Sequence, residues 1–143
     1  PYEDPATGAS VYFRSGNDIP NPRWVLNNYK TTGVVNRVFA ATTFNYELAK
    51  DLNLLYKVGL DTYDETQEFM FNKGGVQLVN GFYNTLNFKN TIWDNSVILS
   101  YTKGVGDNLT LAGKIGGNLR NDVFELYNIS SQNQLARNLF RHT

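Results

Sequence analysis

From Val34 to Tyr63 apolar and polar residues alternate with a period of two, and a short polar turn breaks the run once. The first half reads VVNRVFAATTFNYEL, the turn AKD and the second half LNLLYKVGLDTY. Successive side chains of a strand point to opposite faces, so each half has one apolar and one polar side. One parity of the first half carries Val38, Ala40, Thr42, Phe44, Tyr46 and Leu48. The other carries Arg37, Phe39, Ala41, Thr43, Asn45 and Glu47. In the second half Leu54, Tyr56, Val58 and Leu60 oppose Asn53, Lys57, Gly59 and Asp61. The pattern predicts two antiparallel strands of roughly a dozen residues, about twice the usual length, joined at Ala49–Asp51.

A second pair follows. Thr85 to Thr102 and Leu109 to Asn118 alternate in the same way across a KGVGDN connection. Trp93, Val97, Leu99 and Tyr101 share a face on one strand, as do Leu109, Leu111 and Ile115 on the other, opposite Thr110, Lys114 and Gly116. Asn95 interrupts the apolar face, which fits either a bulge or a register change. The segments Asp64–Asn84 and Leu119–Thr143 are expected to be long loops. Pro1–Lys30, rich in Pro, Gly, Asn and Asp, is expected to be loop apart from a strand end at Val11-Tyr12-Phe13.

Long strands with one greasy and one wet face, joined alternately by short turns and long loops, suit the wall of an outer-membrane barrel. The expected fold is all-β: antiparallel strands of a transmembrane β-barrel, about four to five of them, with long extracellular loops. Composition agrees. Aromatic residues make up 14% of the chain, with nine Tyr and nine Phe, which fits aromatic girdles at membrane interfaces. A mean hydropathy of −0.39 is what strands apolar on one face average to. A Tyr-rich soluble β-sandwich that binds glycans through Trp24, Tyr63 and Trp93 is the second expectation. It would turn its apolar faces inward to a shared core.

The remaining composition narrows the chemistry. With no cysteine, disulfides, thiolate metal sites and cysteine nucleophiles are excluded. Formal net charge is zero and no basic stripe is present, against nucleic-acid binding. The single histidine, His142, has no second His or Cys to build a metal centre or triad with. The GKIGG stretch at Gly113–Gly117 lacks the Ser or Thr and the spacing of a phosphate-binding loop. Asp61, Asp64, Glu65 and Glu68 lack the spacing of a calcium loop and are expected to be a solvated loop; a small hydrolase built on them would need a second carboxylate cluster. No catalytic residue, metal or cofactor is expected.

Asn21-Pro22-Arg23-Trp24-Val25-Leu26-Asn27-Asn28 resembles a recurring loop motif of the SusC/RagA family, TonB-dependent transporters of the outer membrane of Bacteroidota. The strand opened near Arg37, the Leu52–Asp61 strand with its Gly and Asp, the Asn95–Lys103 strand and the Leu109–Gly113 strand are similar to family strands in the same order. The resemblance covers Asn21 to Asn118. It implies a large plugged barrel of the 22-stranded class, of which this chain would be an internal piece, without the plug or the TonB-contacting segment. It also implies a SusD-like surface lipoprotein as partner, oligosaccharide or peptide as cargo, and energy supplied through TonB. The lipid bilayer would surround the barrel. Candidate cargo contacts are Trp24, Arg37, Asn45 and Tyr63. For Trp24, packing as a plug in the loop weighs against a role as a sugar-stacking platform.

Overall fold

The computed structural model describes residues 1–12 and 19–142. A short helix α1 (Pro22–Asn28) is followed by four strands: β1 (Tyr29–Ala49), β2 (Leu52–Phe71), β3 (Phe82–Val105) and β4 (Leu109–Gln132). They form one open four-stranded sheet in the order β1-β2-β3-β4. Each strand pairs with its sequence neighbour, so the sheet is an antiparallel meander. The chain divides into two compact units. Unit 1 contains Pro1–Val35, Glu65–Phe88 and Leu126–Thr143, and unit 2 contains Asn36–Asp64 and Lys89–Glu125.

The alternation predicted both hairpins, and the structure corrects their limits. The first turn is two residues, Lys50 and Asp51. The second is Gly106–Asn108, where Gly106 takes a φ of 68° that side chains other than glycine's rarely adopt. The expected long loops are much shorter. Asp64–Phe71 and Phe82–Asn84 are strand, leaving residues 72–81 as the connection, and β4 runs on to Gln132. Polar residues hide these extensions from hydropathy, because cross-strand bonds hold them. Glu68 accepts from Thr32 Oγ1 and from Tyr83 Oη, and Thr66 Oγ1 accepts from Asn87.

The segment expected to be loop around Trp24 is helix α1. Pro22 opens it, where a missing N–H costs nothing, and the Asn21 side chain caps it by accepting from Arg23 N at 3.0 Å. Of the expected strand end, Val11 and Tyr12 lie outside any strand and Phe13 lies outside the described residues. An isolated antiparallel bridge joins Glu3 and Ser10 instead.

Unit 1 holds the buried residues. Trp24 is completely buried. Its indole N–H donates to Gly8 O at 3.0 Å, and its ring meets Tyr29 edge-on with centroids 5.5 Å apart. Tyr29 stacks on Phe71, which contacts Phe82. Beside these rings lies a polar cluster. Asn72 donates to Asn28 and Asn138, and its Oδ1 accepts from Gln134 Nε2 and Asn138 N. Arg137 donates to Asn28 and Glu3. His142 stacks on Tyr83, with one ring nitrogen against Thr85 Oγ1 and the other against Ser131 Oγ.

Unit 2 has no buried residue among those described. Its register is fixed by contacts along each strand pair. Gly59 lies against Ala41, Thr62 against Thr91, and Gly116 against Ile98. A Cβ on Gly116 would sit 2.8 Å from the Val97 carbonyl, so only glycine fits there. These pairings set two faces. One carries Val38, Phe44, Tyr46 and Leu48 of β1, Leu54, Tyr56, Val58 and Leu60 of β2, Trp93, Val97, Leu99 and Tyr101 of β3, and Leu109, Leu111, Ile115 and Leu119 of β4. Phe44 stacks on Tyr56 across the first hairpin. Asn95 stays in register on this face, where Tyr56 Oη donates to its Oδ1 at 2.8 Å. The interruption is thus a cross-strand hydrogen bond.

Candidate functional site

The opposite face of unit 2 gathers its polar groups, because every second residue of four in-register strands must project there. Arg37 and Asp61 face each other across the first hairpin. Arg37 Nε and Nη2 donate to the two carboxylate oxygens at 2.9 and 2.6 Å. This fork-to-fork geometry is the strong form of an ion pair, although both groups are open to solvent, which holds its net worth to about 1 kcal/mol or less. Tyr63 is two residues along β2 from Asp61. On the other side of the sheet Asn118 donates to Asp94 at 2.9 Å and to Ser96 at 2.8 Å, and Arg120 pairs with Asp122 at 3.3 Å.

Towards the Lys50–Asp51 turn these rows open into a cleft of about 660 Å³, lined by Asn45, Glu47, Asn53, Ser100, Thr102 and Lys114 together with the turn. Glu47, Asn53, Ser100 and Lys114 fall on one row across the four strands. The cleft offers amide, hydroxyl, carboxylate and ammonium groups and almost no apolar wall. Such a lining can exchange hydrogen bonds with a polar solute. It contains no nucleophile held by a base, the arrangement covalent catalysis requires. Among the described residues no group of three or more His, Asp or Glu could hold a metal ion.

The four sequence candidates separate. Arg37, Asn45 and Tyr63 share the polar face of unit 2, Arg37 engaged with Asp61 and Asn45 on the cleft wall. Trp24 belongs to unit 1, and full burial leaves its ring no open face on which a sugar could stack. The structure adds Asp94, Ser96 and Asn118. Sequence reading passed over them, although their parity with Lys114 and Gly116 was the available signal.

Comparison with protein-family models gives no match, and comparison with curated proteins gives none.

Proposed function

We propose that unit 2 is a wall segment of a transmembrane β-barrel, its apolar face toward lipid and its polar face toward the lumen. One observation carries this reading: four strands expose a continuous apolar face, and no residue of unit 2 is buried. In water such a sheet would need a partner layer to cover it. The dimensions agree. Val38 to Leu48 covers ten steps of about 3.3 Å, or about 33 Å. Tilted by about 45°, that gives a height of about 23 Å, close to the apolar band of about 25 Å in outer-membrane barrels. Tyr46, Tyr56, Tyr101 and Trp93 punctuate the face, as interfacial aromatics do.

With the resemblance to SusC/RagA transporters, the barrel is proposed to serve TonB-dependent nutrient import across a bacterial outer membrane. The cargo would be oligosaccharide or peptide, delivered with a SusD-like lipoprotein. In that role the cleft near Asn45 and the Arg37–Asp61 pair are lumenal surface that passing cargo touches, and no catalytic step is assigned. The no-helix side of the same reading is consistent: among the described residues no helix is long and apolar enough to cross a membrane, and a barrel crosses with strands.

The test uses the two tryptophans. Trp93 is on the apolar face and 44% exposed, whereas Trp24 is buried in unit 1. In vesicles containing brominated lipid, Trp93 fluorescence should be quenched and Trp24 should not. Single-Trp variants (Trp24→Phe and Trp93→Phe) separate the two signals. A folded, detergent-free monomer in which neither tryptophan senses lipid would replace the barrel with the soluble glycan-binding sandwich.

A further inference from the structure

Strands β1 and β4 are the two edges of the sheet. Within unit 2 each presents a row of backbone donors and acceptors along one side, Asn36–Ala49 on β1 and residues 112–125 on β4. Unpaired edges of this length recruit another strand. We propose that these two edges are complementary to each other, so that β1 of one copy pairs antiparallel with β4 of a second copy. The inference goes beyond the wall reading, because it rests on the register of unit 2 and not on what covers its apolar face.

The argument begins with direction. In a four-stranded meander β1 and β4 run oppositely, so β4 of a neighbouring copy meets β1 as an antiparallel strand and continues the same up-and-down order. Parity comes next. The row Glu47–Asn53–Ser100–Lys114 crosses the sheet on its polar face. Carrying that row into the next copy places Lys114 of the second copy opposite Glu47 of the first. Both faces then stay continuous, which a slip of one residue would destroy. In this register Asn36–Ala49 pairs along its whole length with residues 112–125.

The side chains fit this register on both faces. On the polar face Glu47 meets Lys114, and Arg37 meets Phe124 with Asp122 one diagonal away. Opposite charges across strands are favourable, and like charges are not. On the apolar face Phe44 meets Gly117 and Leu48 meets Gly113. A Cβ on either glycine would meet nothing within 4 Å in the single chain, which leaves room for the two large side chains. Phe44 and Leu48 are half exposed or more in the single chain, at 56% and 48%. The interface is heterologous, one edge against the other, and therefore propagates until curvature closes it into a ring.

The experiment uses the absence of cysteine. Single-cysteine variants of the 143-residue chain are mixed in detergent micelles and oxidised. The pairs are Thr43→Cys with Asn118→Cys and Thr42→Cys with Leu119→Cys. These are neighbouring rows of the proposed register, so one of them is the closer, non-hydrogen-bonded type. A mixed disulfide is expected in at least one pair. Thr43→Cys with Lys114→Cys is the control. Its partners are displaced by four residues, about 13 Å, beyond the Cα separation of roughly 7 Å that a disulfide can bridge.

Glu47→Lys should weaken association about fivefold, and Lys114→Glu in the same chain should restore it. A strictly monomeric chain overturns the proposal, as does crosslinking equal to that of the displaced control. The outcome is independent of lipid quenching at Trp93, so failure of one reading does not disguise failure of the other.

Discussion

Trp24 is the residue whose removal the structure prices most directly. Truncation to alanine in Trp24→Ala withdraws an indole with about 250 Å² of surface, fully covered in the native unit. At about 25 cal/mol per Å² the transfer contribution is about 6 kcal/mol, an upper bound because the unfolded chain already covers part of it. Large core truncations of this type cost about 3–5 kcal/mol. Loss of the indole bond to Gly8 O adds about 1 kcal/mol. A value near 4 kcal/mol is expected, falling on unit 1. Hydrogen exchange reads it locally through the Ser10 amide bonded to Gly74 O and the Asn72 amide bonded to Asn28 O. When exchange follows the free energy of opening, both should lose protection roughly a thousandfold. Trp24→Phe keeps a ring and loses the donor, so its effect should be about tenfold. A change below tenfold in Trp24→Ala would refute the view that Trp24 anchors unit 1.

Gly75→Ala would place a Cβ 2.6 Å from Tyr29 Oη and 3.3 Å from the Trp24 ring, so an overpacking cost of about 1–3 kcal/mol should appear as a lowered urea midpoint. Asn72→Leu removes both acceptor and donor from a buried cluster and strands the Asn138 amide and Gln134 Nε2. A loss of about 3 kcal/mol is expected, with faster proteolysis between residues 133 and 142. Asp4 is held below its ordinary carboxyl value of 3.8 by the Thr7 hydroxyl and then by the Ala6 amide. A depressed folded value means that its contribution is complete above the ordinary value and is lost as pH falls through the lower folded one. Thr7→Val should move the carboxyl titration, followed by NMR, back up toward 3.8. On the polar face of unit 2, Arg37→Lys keeps the charge and loses the fork. The first hairpin should then show less protection around Asp61, while β3–β4 pairing stays unchanged.

The hairpins were legible because each residue of Val38–Leu48 and Leu54–Leu60 obeys one rule, its parity. Register followed wherever a small residue faced another, as at Ala41 and Gly59. The rule failed where polar residues remain in strands for the sake of their partners. Glu68 and Thr66 resemble loop residues until Thr32, Tyr83 and Asn87 are placed beside them, and those partners are distant in sequence. Helix α1 escaped notice because seven residues carry too little periodicity, although Asn21 before Pro22 was a visible start signal. The polar-face candidates Arg37 and Asn45 came from parity. Asp94, Ser96 and Asn118 required knowing which β4 residue lies beside which β3 residue. Trp24 was recognised as an anchor by its type, and its partners, Gly8, Tyr29 and Gly75, could come only from the fold.

The division of burial between the units sets how each tolerates substitution. In unit 2 no described side chain is enclosed, so shape is lightly constrained and the alphabet reduces to two letters, apolar on one parity and polar on the other. Phe44→Leu or Lys57→Gln should be nearly silent, and exchanging the letters at two adjacent positions should not. Gly116 is the exception, since backbone crowds it. Unit 1 follows another grammar, in which Trp24, Asn72 and Gly75 are each read by outline and by the atoms they touch. A saturation mutagenesis map of this chain would therefore show two textures, a striped one from Asn36 to Asp64 and from Lys89 to Glu125, and isolated intolerant points elsewhere.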